Sequence, residues 1–253
     1  MAVSMKGKDL VSVDDLSPEE VWQVIRTAED MKLRQKSVGD GAPLKGKTLA
    51  MIFHKPSTRT RVSFEVAMWQ LGGYALNLRA DELQLRRGET VADTARVLSR
   101  YVDGVMIRTY AHADVVELAR HASIPVINGL TDLLHPCQAL TDIFTIYEKK
   151  GRLEGLKLAY VGDGNNVAHS LMHAGAKVGL HVAVATPPGY EPSEEVVAQA
   201  RDAAAVSGSR VALFHDPVEA VRGADVVYTD VWARTTRGRS GGGSSPPTRS
   251  TPR

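Results

Sequence analysis

Apolar runs alternate along the chain with segments whose apolar positions recur every three or four residues. The runs predict buried β-strands and the periodic segments predict amphipathic helices. The predicted strands are 48–53, 74–78, 104–108, 125–128, 156–161, 181–185, 211–214 and 226–229. Such alternation is typical of α/β proteins with mostly parallel sheets.

The first predicted helix has clear start signals. Ser17 is placed as an N-cap before Pro18, and Glu20 completes a capping box. Further helices are predicted at 58–71, 90–101, 114–122 and 138–149, and between the later strands. In the helix at 58–71 we expect one stripe to face the core, formed by Phe64, Ala67, Met68 and Leu71.

We place a domain boundary near residue 150, where a second alternating series begins. The predicted division is a first domain at 1–150, a second at 151–233 and a low-complexity tail at 234–253. The fold class is therefore α/β, with two domains of parallel sheet flanked by helices. The second is Rossmann-like and incomplete, because no helix follows its last strand.

Composition favours a soluble globular protein. The chain has 253 residues, of which 43% are hydrophobic, enough to bury a sizeable core. No apolar run approaches the roughly 18 residues of a membrane span, and the N-terminus lacks a signal-type apolar stretch. We therefore expect a cytoplasmic protein that does not bind a membrane. The single cysteine, Cys137, excludes an internal disulfide and a cysteine-based metal cluster.

Charge is unevenly distributed. The last twenty residues, RTTRGRSGGGSSPPTRSTPR, hold five arginines and no acid, so the net charge of +2 becomes −3 for the body (26 basic against 29 acidic residues). A slightly acidic body argues against nucleic-acid binding. The tail has a composition that cannot bury a core, and we expect it to be disordered.

The stretch FHKPSTRTRVSFE, at 53–65, places hydroxyl and guanidinium groups where a strand gives way to a helix. A helix N-terminus offers unpaired N–H groups and a positive dipole end, so Ser57, Thr58 and Thr60 predict an anion site. Arg59 adds a planar guanidinium group that can donate hydrogen bonds to two phosphate oxygens at once. The alternative is a simple helix cap with surface arginines. Capping explains one residue of the run, so we favour the site.

Three further polar residues follow predicted parallel strands. Arg108 ends the strand at 104–108, and His135 and Gln138 follow the next strand along the chain. Ligands of open parallel sheets bind beyond the carboxyl ends of the strands. Taken singly, His135 could be a structural histidine and Gln138 a helix-start residue, but their placement favours one convergent site.

The segment VGDGNNVA offers a different interpretation. Gly162 and Gly164 follow a strand, as in dinucleotide-binding turns of nicotinamide-dependent oxidoreductases. The next strand leads to Thr186 and prolines, without the acid that would hold a ribose. We therefore favour close strand-to-helix packing at these glycines.

Taken together, FHKPSTRTRVSFE, Arg108, HPCQALTDIFTI and DVW resemble the aspartate/ornithine carbamoyltransferase family, and the lysine before STRTR and the HPCQALTD segment resemble its ornithine enzymes. The resemblance covers about residues 8 to 233. It implies a carbamoyl-phosphate-binding first domain, an ornithine-binding second domain, and homotrimers or multiples of trimers that share active sites across subunit interfaces. It also implies no cofactor and no metal.

The resemblance assigns roles to individual residues. The phosphate-binding motif is matched by Ser57, Thr58, Arg59 and Thr60. Gln84 matches a residue lent to the neighbouring subunit's site. Residues that bind the carbonyl oxygen, the amide and the phosphate of carbamoyl phosphate are matched by Arg108, His135 and Gln138, of which Arg108 and His135 are the expected catalytic residues. Asn166 and Asp230 match ornithine contacts.

The implied activity is transfer of the carbamoyl group to the δ-amine of L-ornithine, giving citrulline and phosphate in arginine biosynthesis. After DVW the chain departs from the family, because Ala233 is followed by Arg234 instead of the SMG loop, and the later cysteine motif and C-terminal helix do not appear. The composition beyond this point resembles an out-of-frame read. We therefore expect a C-terminally truncated enzyme with an incomplete ornithine site and weak or absent activity.

Two alternatives stay open. One is a transcarbamylase for aspartate, putrescine or an acylated ornithine. The other is a non-catalytic carbamoyl-phosphate-binding or assembly protein.

Overall fold

The computed structural model describes residues 3–35, 42–79, 83 and 88–230, with the side chain of residue 35 left out. Helices and strands alternate along these residues in the following order: α1 Pro18–Gln35, β1 Thr48–Phe53, α2 Thr58–Gln70, β2 Tyr74–Arg79, α3 Val91–Leu98, β3 Gly104–Arg108, α4 His112–His121, β4 Val126–Leu130, α5 Pro136–Lys150, β5 Lys157–Val161, α6 Asn166–Lys177, β6 His181–Ala185, α7 Glu194–Ser207, β7 Val211–Phe214, α8 Pro217–Val221 and β8 Val226–Thr229.

The strands form two parallel sheets, which confirms the predicted α/β fold. The first sheet has the order β2-β1-β3-β4 and the second has the order β7-β6-β5-β8. All their pairings are parallel. The apolar residues of the central strands are buried on both faces by helices, as their continuous apolar sequences require. The carboxyl ends of β1, β3 and β4 therefore meet at one edge of the first sheet.

The start of α1 confirms the predicted capping box. The Ser17 amide donates to Glu20 Oε2 at 2.7 Å, and the Glu20 amide donates to Ser17 Oγ at 3.2 Å. Two orphan N–H groups of the helix are thereby satisfied. One turn further along, Val21 and Ile25 are fully buried.

The stripe predicted for α2 is confirmed in part. Met68 is buried and Phe64 packs against the same core cluster, whereas Ala67 is exposed and lines a cavity. Its outer face carries exposed apolar side chains instead: Val62, Val66 and Trp69.

Helix α1 belongs to a hydrophobic core that also contains α5, α6 and the second sheet, whereas the buried residues of the first sheet form separate clusters. Val21 and Ile25 of α1 pack with α5 on one side and with α6 and the second sheet on the other. The segment before α1 adds polar ties, since Asp9 Oδ1 accepts from the Val126 amide at 2.7 Å and Lys177 Nζ donates to the Asp14 carbonyl at 2.9 Å. The chain start is thus fastened to both halves of the molecule.

Among the described helices, none combines the length and apolar character of a bilayer-spanning segment. The tail for which we predict disorder, 234–253, lies outside the described residues.

Candidate active site

The turn between β1 and α2 is held against the end of β3. The amides of His54 and Lys55 both donate to the Arg108 carbonyl, at 2.9 and 3.4 Å. Ser57 then caps α2: its Oγ accepts from the Thr60 amide at 3.3 Å and donates to Thr60 Oγ1 at 3.1 Å. The capping interpretation is therefore right for Ser57. Capping accounts for one amide of the first turn, and the positive end of the helix still faces the cavity described next.

A cavity of about 800 Å³ lies where the first sheet meets the second. Its wall contains eight of the residues selected from the sequence: Ser57, Arg59, Thr60, Arg108, His135, Gln138, Asn166 and Asp230. Thr58 is not part of that wall and lies on the adjoining outer face of α2. Gln84 lies outside the described residues. The predicted groups of both halves thus converge on one space.

Two guanidinium groups give the cavity a positive end. Within the described parts of the chain, neither Arg59 nor Arg108 forms a salt bridge. Arg108 is half-buried, and its Nε atom is buried without a described hydrogen-bond partner. Burial and the nearby charge of Arg59 both lower the pKa of Arg108. An anion placed between the two groups would satisfy both charges.

His135 stands at the start of α5 and faces the same end of the cavity. Its amide donates to Ser170 Oγ at 2.7 Å, which ties the turn to α6. Burial, with a smaller contribution from the charge of Arg108, lowers the pKa of His135 to about 4. The imidazole is therefore neutral at pH 7 and has one N–H to donate.

Gln138 lies in the first turn of α5 and is held by a residue that the sequence did not suggest. Its Nε2 donates to Asp142 Oδ1 at 2.9 Å. Burial raises the pKa of the Asp142 carboxyl, while the bond from Gln138 acts in the opposite direction. Four-residue spacing on a helix could have pointed to this pair, but the sequence alone does not distinguish it from the many surface pairs of the same kind.

Asp230 provides a carboxylate at the other side of the cavity, directly after β8. Asn165 Nδ2 donates to Asp230 Oδ2 at 3.1 Å, and Asn165 Oδ1 caps α6 by accepting from the amides of Val167 and Ala168. Asn166 Nδ2 donates to the Thr131 carbonyl at 2.6 Å, in the loop that leads to His135. A carboxylate held in this way can accept hydrogen bonds from an ammonium group.

In the glycine-rich turn, the space beside Gly164 is occupied by another segment of the chain. A Cβ atom on Gly164 would lie 2.2 Å from the backbone nitrogen of Pro192, in the segment between β6 and α7. Gly164 is thus required by a close approach of the chain, in line with the packing interpretation, although the partner is a loop instead of a strand or helix. The Glu191–Pro192 backbone occupies the space beside it.

Cys137 borders the cavity but is not poised as a nucleophile. Burial raises the pKa of its thiol to about 12, and the thiol donates a hydrogen bond to the Asn128 carbonyl at 3.4 Å. Among the described residues, no group of three or more His, Cys, Asp or Glu side chains is arranged to hold a metal ion.

Comparison with known proteins gives matches along most of the chain. Residues 8–148 match "Aspartate/ornithine carbamoyltransferase, carbamoyl-P binding domain", and residues 154–240 match "Aspartate/ornithine carbamoyltransferase, Asp/Orn binding domain". The "Ornithine carbamoyltransferase" of Pyrococcus abyssi is 64% identical over 233 residues, covering 92% of this chain and 74% of the relative. The "Ornithine carbamoyltransferase, anabolic" of Pyrococcus furiosus is 62% identical over the same length, with the same coverage.

Solved structures agree with these matches. The solved structure of the ornithine carbamoyltransferase from Pyrococcus furiosus superposes with a TM-score of 0.91 at 61% identity, covering 94% of this chain and 76% of that one. The chain thus spans about three quarters of the length of these relatives. With two matched regions and identities above 60%, the chain belongs to the aspartate/ornithine carbamoyltransferase family.

Proposed function

We propose that the chain transfers the carbamoyl group of carbamoyl phosphate to the δ-amine of L-ornithine, giving citrulline and phosphate as a step of arginine biosynthesis. The observation that carries this proposal is the polarity of the cavity. Two guanidinium groups without described carboxylate partners and a helix N-terminus lie at one end, and the carboxylate of Asp230 lies at the other. One end suits a phosphate and the other suits the α-ammonium group of an amino acid.

The first substrate fits the positive end. The phosphate of carbamoyl phosphate would accept hydrogen bonds from the first turn of α2 and from Arg59. Its carbonyl oxygen would lie within reach of Arg108 and His135, and its amide would face Gln138. The neutral state of His135 suits this role, because a neutral imidazole donates a hydrogen bond to the carbonyl oxygen without adding a third positive charge beside two arginines.

The second substrate fits beside Asp230, with Asn166 close to it in the cavity wall. The neutral δ-amine of ornithine attacks the carbamoyl carbon, so that a C–N bond forms and negative charge develops on the carbonyl oxygen. The C–O bond to phosphate then breaks, phosphate leaves with the bonding electrons, and the attacking nitrogen loses its proton to the departing phosphate. Arg108, His135 and Thr60 stabilise the developing charge, and positioning supplies the remainder of the rate. The chemistry requires neither a metal nor a cofactor.

Three further assignments belong to this proposal. We assign carbamoyl phosphate binding to the part of the chain at 1–150 and ornithine binding to 151–233. We place the protein in the cytoplasm. We also propose a homotrimer, supported by the exposed apolar side chains of Val62, Val66 and Trp69 next to the cavity, where a second copy could bury them.

A citrulline assay with carbamoyl phosphate and ornithine tests the proposal directly. Citrulline formation that depends on both substrates supports it, and normal turnover would refute the expectation of impaired activity. Parallel reactions with aspartate, putrescine and N-acetylornithine test the other transcarbamylase activities. Calorimetric binding of carbamoyl phosphate without turnover of any acceptor would favour the non-catalytic alternative, and a fluorescence titration with NADH tests the oxidoreductase alternative.

A further inference from the structure

The hydrogen bond between Gln138 and Asp142 fixes which end of the Gln138 amide faces Asp142. An amide side chain can turn either its NH₂ group or its carbonyl oxygen toward a partner, whereas an ionised carboxylate only accepts hydrogen bonds. Asp142 Oδ1 therefore selects the orientation in which Gln138 donates to it from Nε2. The Gln138 carbonyl oxygen is left as the end of the amide that is available to the cavity.

Asp142 does not line the cavity itself but interacts with two residues that do, Gln138 of α5 and Tyr228 of β8. Its Oδ2 atom is buried, and burial raises the pKa of the carboxyl while interaction with the Tyr228 hydroxyl lowers it. The phenol of Tyr228 is close enough for each group to shift the pKa of the other. Tyr228 belongs to β8, lines the cavity and precedes Asp230 by two residues. A half-buried carboxylate without a described cation partner costs stability, which makes a functional constraint the more reasonable explanation for this position.

We propose that Asp142 is a positioning residue, which keeps the Gln138 carbonyl oxygen directed at the NH₂ group of the carbamoyl substrate. The inference rests on the proposed function, because it requires a substrate with an amide at this point. With the opposite orientation, the NH₂ of Gln138 would face the NH₂ of the substrate, and two donors cannot form a hydrogen bond. Asp142 therefore favours binding of a carbamoyl group over binding of the phosphate alone.

The competing explanation is that the pair simply stabilises α5, as pairs at this spacing do on many helices. The two explanations differ in what they predict for ligands with and without an amide. A purely structural role would affect all anionic ligands alike. A positioning role would affect the amide end and leave the phosphate end unchanged.

Calorimetry with two probes separates these explanations. Phosphonoacetamide carries a phosphonate and a terminal amide, whereas inorganic phosphate lacks the amide. In Asp142→Asn both orientations of Gln138 become possible, so we expect the affinity for phosphonoacetamide to fall by about threefold to tenfold. The affinity for inorganic phosphate should stay within about 1.5-fold of wild type, because the groups that bind phosphate are untouched.

A double-mutant cycle tests whether Asp142 acts through Gln138. In a Gln138→Ala background, Asp142→Asn should change the affinity for phosphonoacetamide by less than about 1.5-fold. Asp142→Glu keeps an acceptor-only carboxylate and should recover part of the loss, and it serves in place of Asp142→Asn if that variant does not fold. The matched control is Glu195→Gln, which removes the carboxylate from a surface pair of the same spacing, Gln199 Nε2 to Glu195 Oε1 at 3.5 Å. It should leave both affinities unchanged.

Three results would overturn the inference: equal losses for both probes, no loss for phosphonoacetamide, or an undiminished effect of Asp142→Asn without Gln138. If the proposed function is wrong, the wild-type protein will bind phosphonoacetamide no more tightly than phosphate. That result would refute the inference as well, because the inference rests on the proposed function. A wild-type preference that Asp142→Asn leaves intact would refute only the inference.

Discussion

Replacing Arg59 by alanine should weaken binding of carbamoyl phosphate without disturbing the fold. Arg59 lies in the first turn of α2, lines the cavity and has no salt-bridge partner among the residues described. Its charge lowers the pKa of Arg108, so the two guanidinium groups repel each other. Removing one of two like charges relieves repulsion, so the free energy of unfolding should stay within about 0.5 kcal/mol of wild type.

The expected loss of affinity follows from the exposure of the side chain. A hydrogen bond to a charged group contributes about 1.5–3 kcal/mol, and an exposed arginine, which water can also solvate, belongs near the lower end of this range. A loss of about 1.5–2 kcal/mol corresponds to a dissociation constant raised about tenfold to thirtyfold. Calorimetric titration with fresh carbamoyl phosphate, and separately with inorganic phosphate, measures this change.

Arg61→Ala is the matched control for Arg59→Ala. Arg61 lies two positions further along α2, is paired with Glu65 at 3.0 Å and does not line the cavity. Its removal should change either dissociation constant by less than about twofold. Unchanged affinity in Arg59→Ala, or equal losses in both variants, would show that the STRTR segment does not bind the phosphate through Arg59.

Two further variants test the surroundings of the site. Gly164→Ala places a methyl group against the Pro192 backbone, so it should lower stability by about 1–3 kcal/mol, and an unchanged thermal midpoint would contradict the close approach of the two segments. His135 has a folded-state pKa of about 4 against an ordinary value of 6.5, so the unfolded chain binds more protons than the folded one between these pH values. The stability that neutral His135 contributes is therefore complete above about pH 6.5. It falls by at most about 3 kcal/mol as the pH approaches 4. His135→Asn should flatten this part of a urea-derived stability profile, and superimposable profiles would refute the assignment.

Strands were predictable because their signals are local. The bounds of β1, β3, β6, β7 and β8 agree with the predicted ranges, since each strand is a short apolar run that ends at polar or turn-forming residues. Helix starts were less certain. The helix at α5 begins at Pro136, ahead of the predicted residue 138, because proline is accommodated in the first helical turn. The stripe of α2 was right for Phe64 and Met68 and wrong for Ala67, because periodicity does not say how wide a face of the helix meets the sheet.

Site residues that stand at the end of a strand or helix could be predicted from the sequence. Contacts between residues that are far apart in the chain could not. Arg108 and the STRTR run stand at element ends, so topology brings them together. The contact of Asn165 with Asp230 joins residues 65 positions apart, and the approach of Tyr228 to Asp142 joins a strand of the second sheet to a helix beside the first. Propensity and spacing carry no information about such contacts.

The core that α1 shares with α6 and the second sheet implies an order of events during synthesis. Val21 and Ile25 of α1 complete their packing against α6, which follows them by about 150 residues in the chain. While a ribosome is still making the first sheet, α1 lacks this partner and keeps apolar surface open to water or to chaperones. The N-terminal segment therefore emerges first but completes its packing only when α6 is made, so that its docking onto the second half of the chain is a late step of folding.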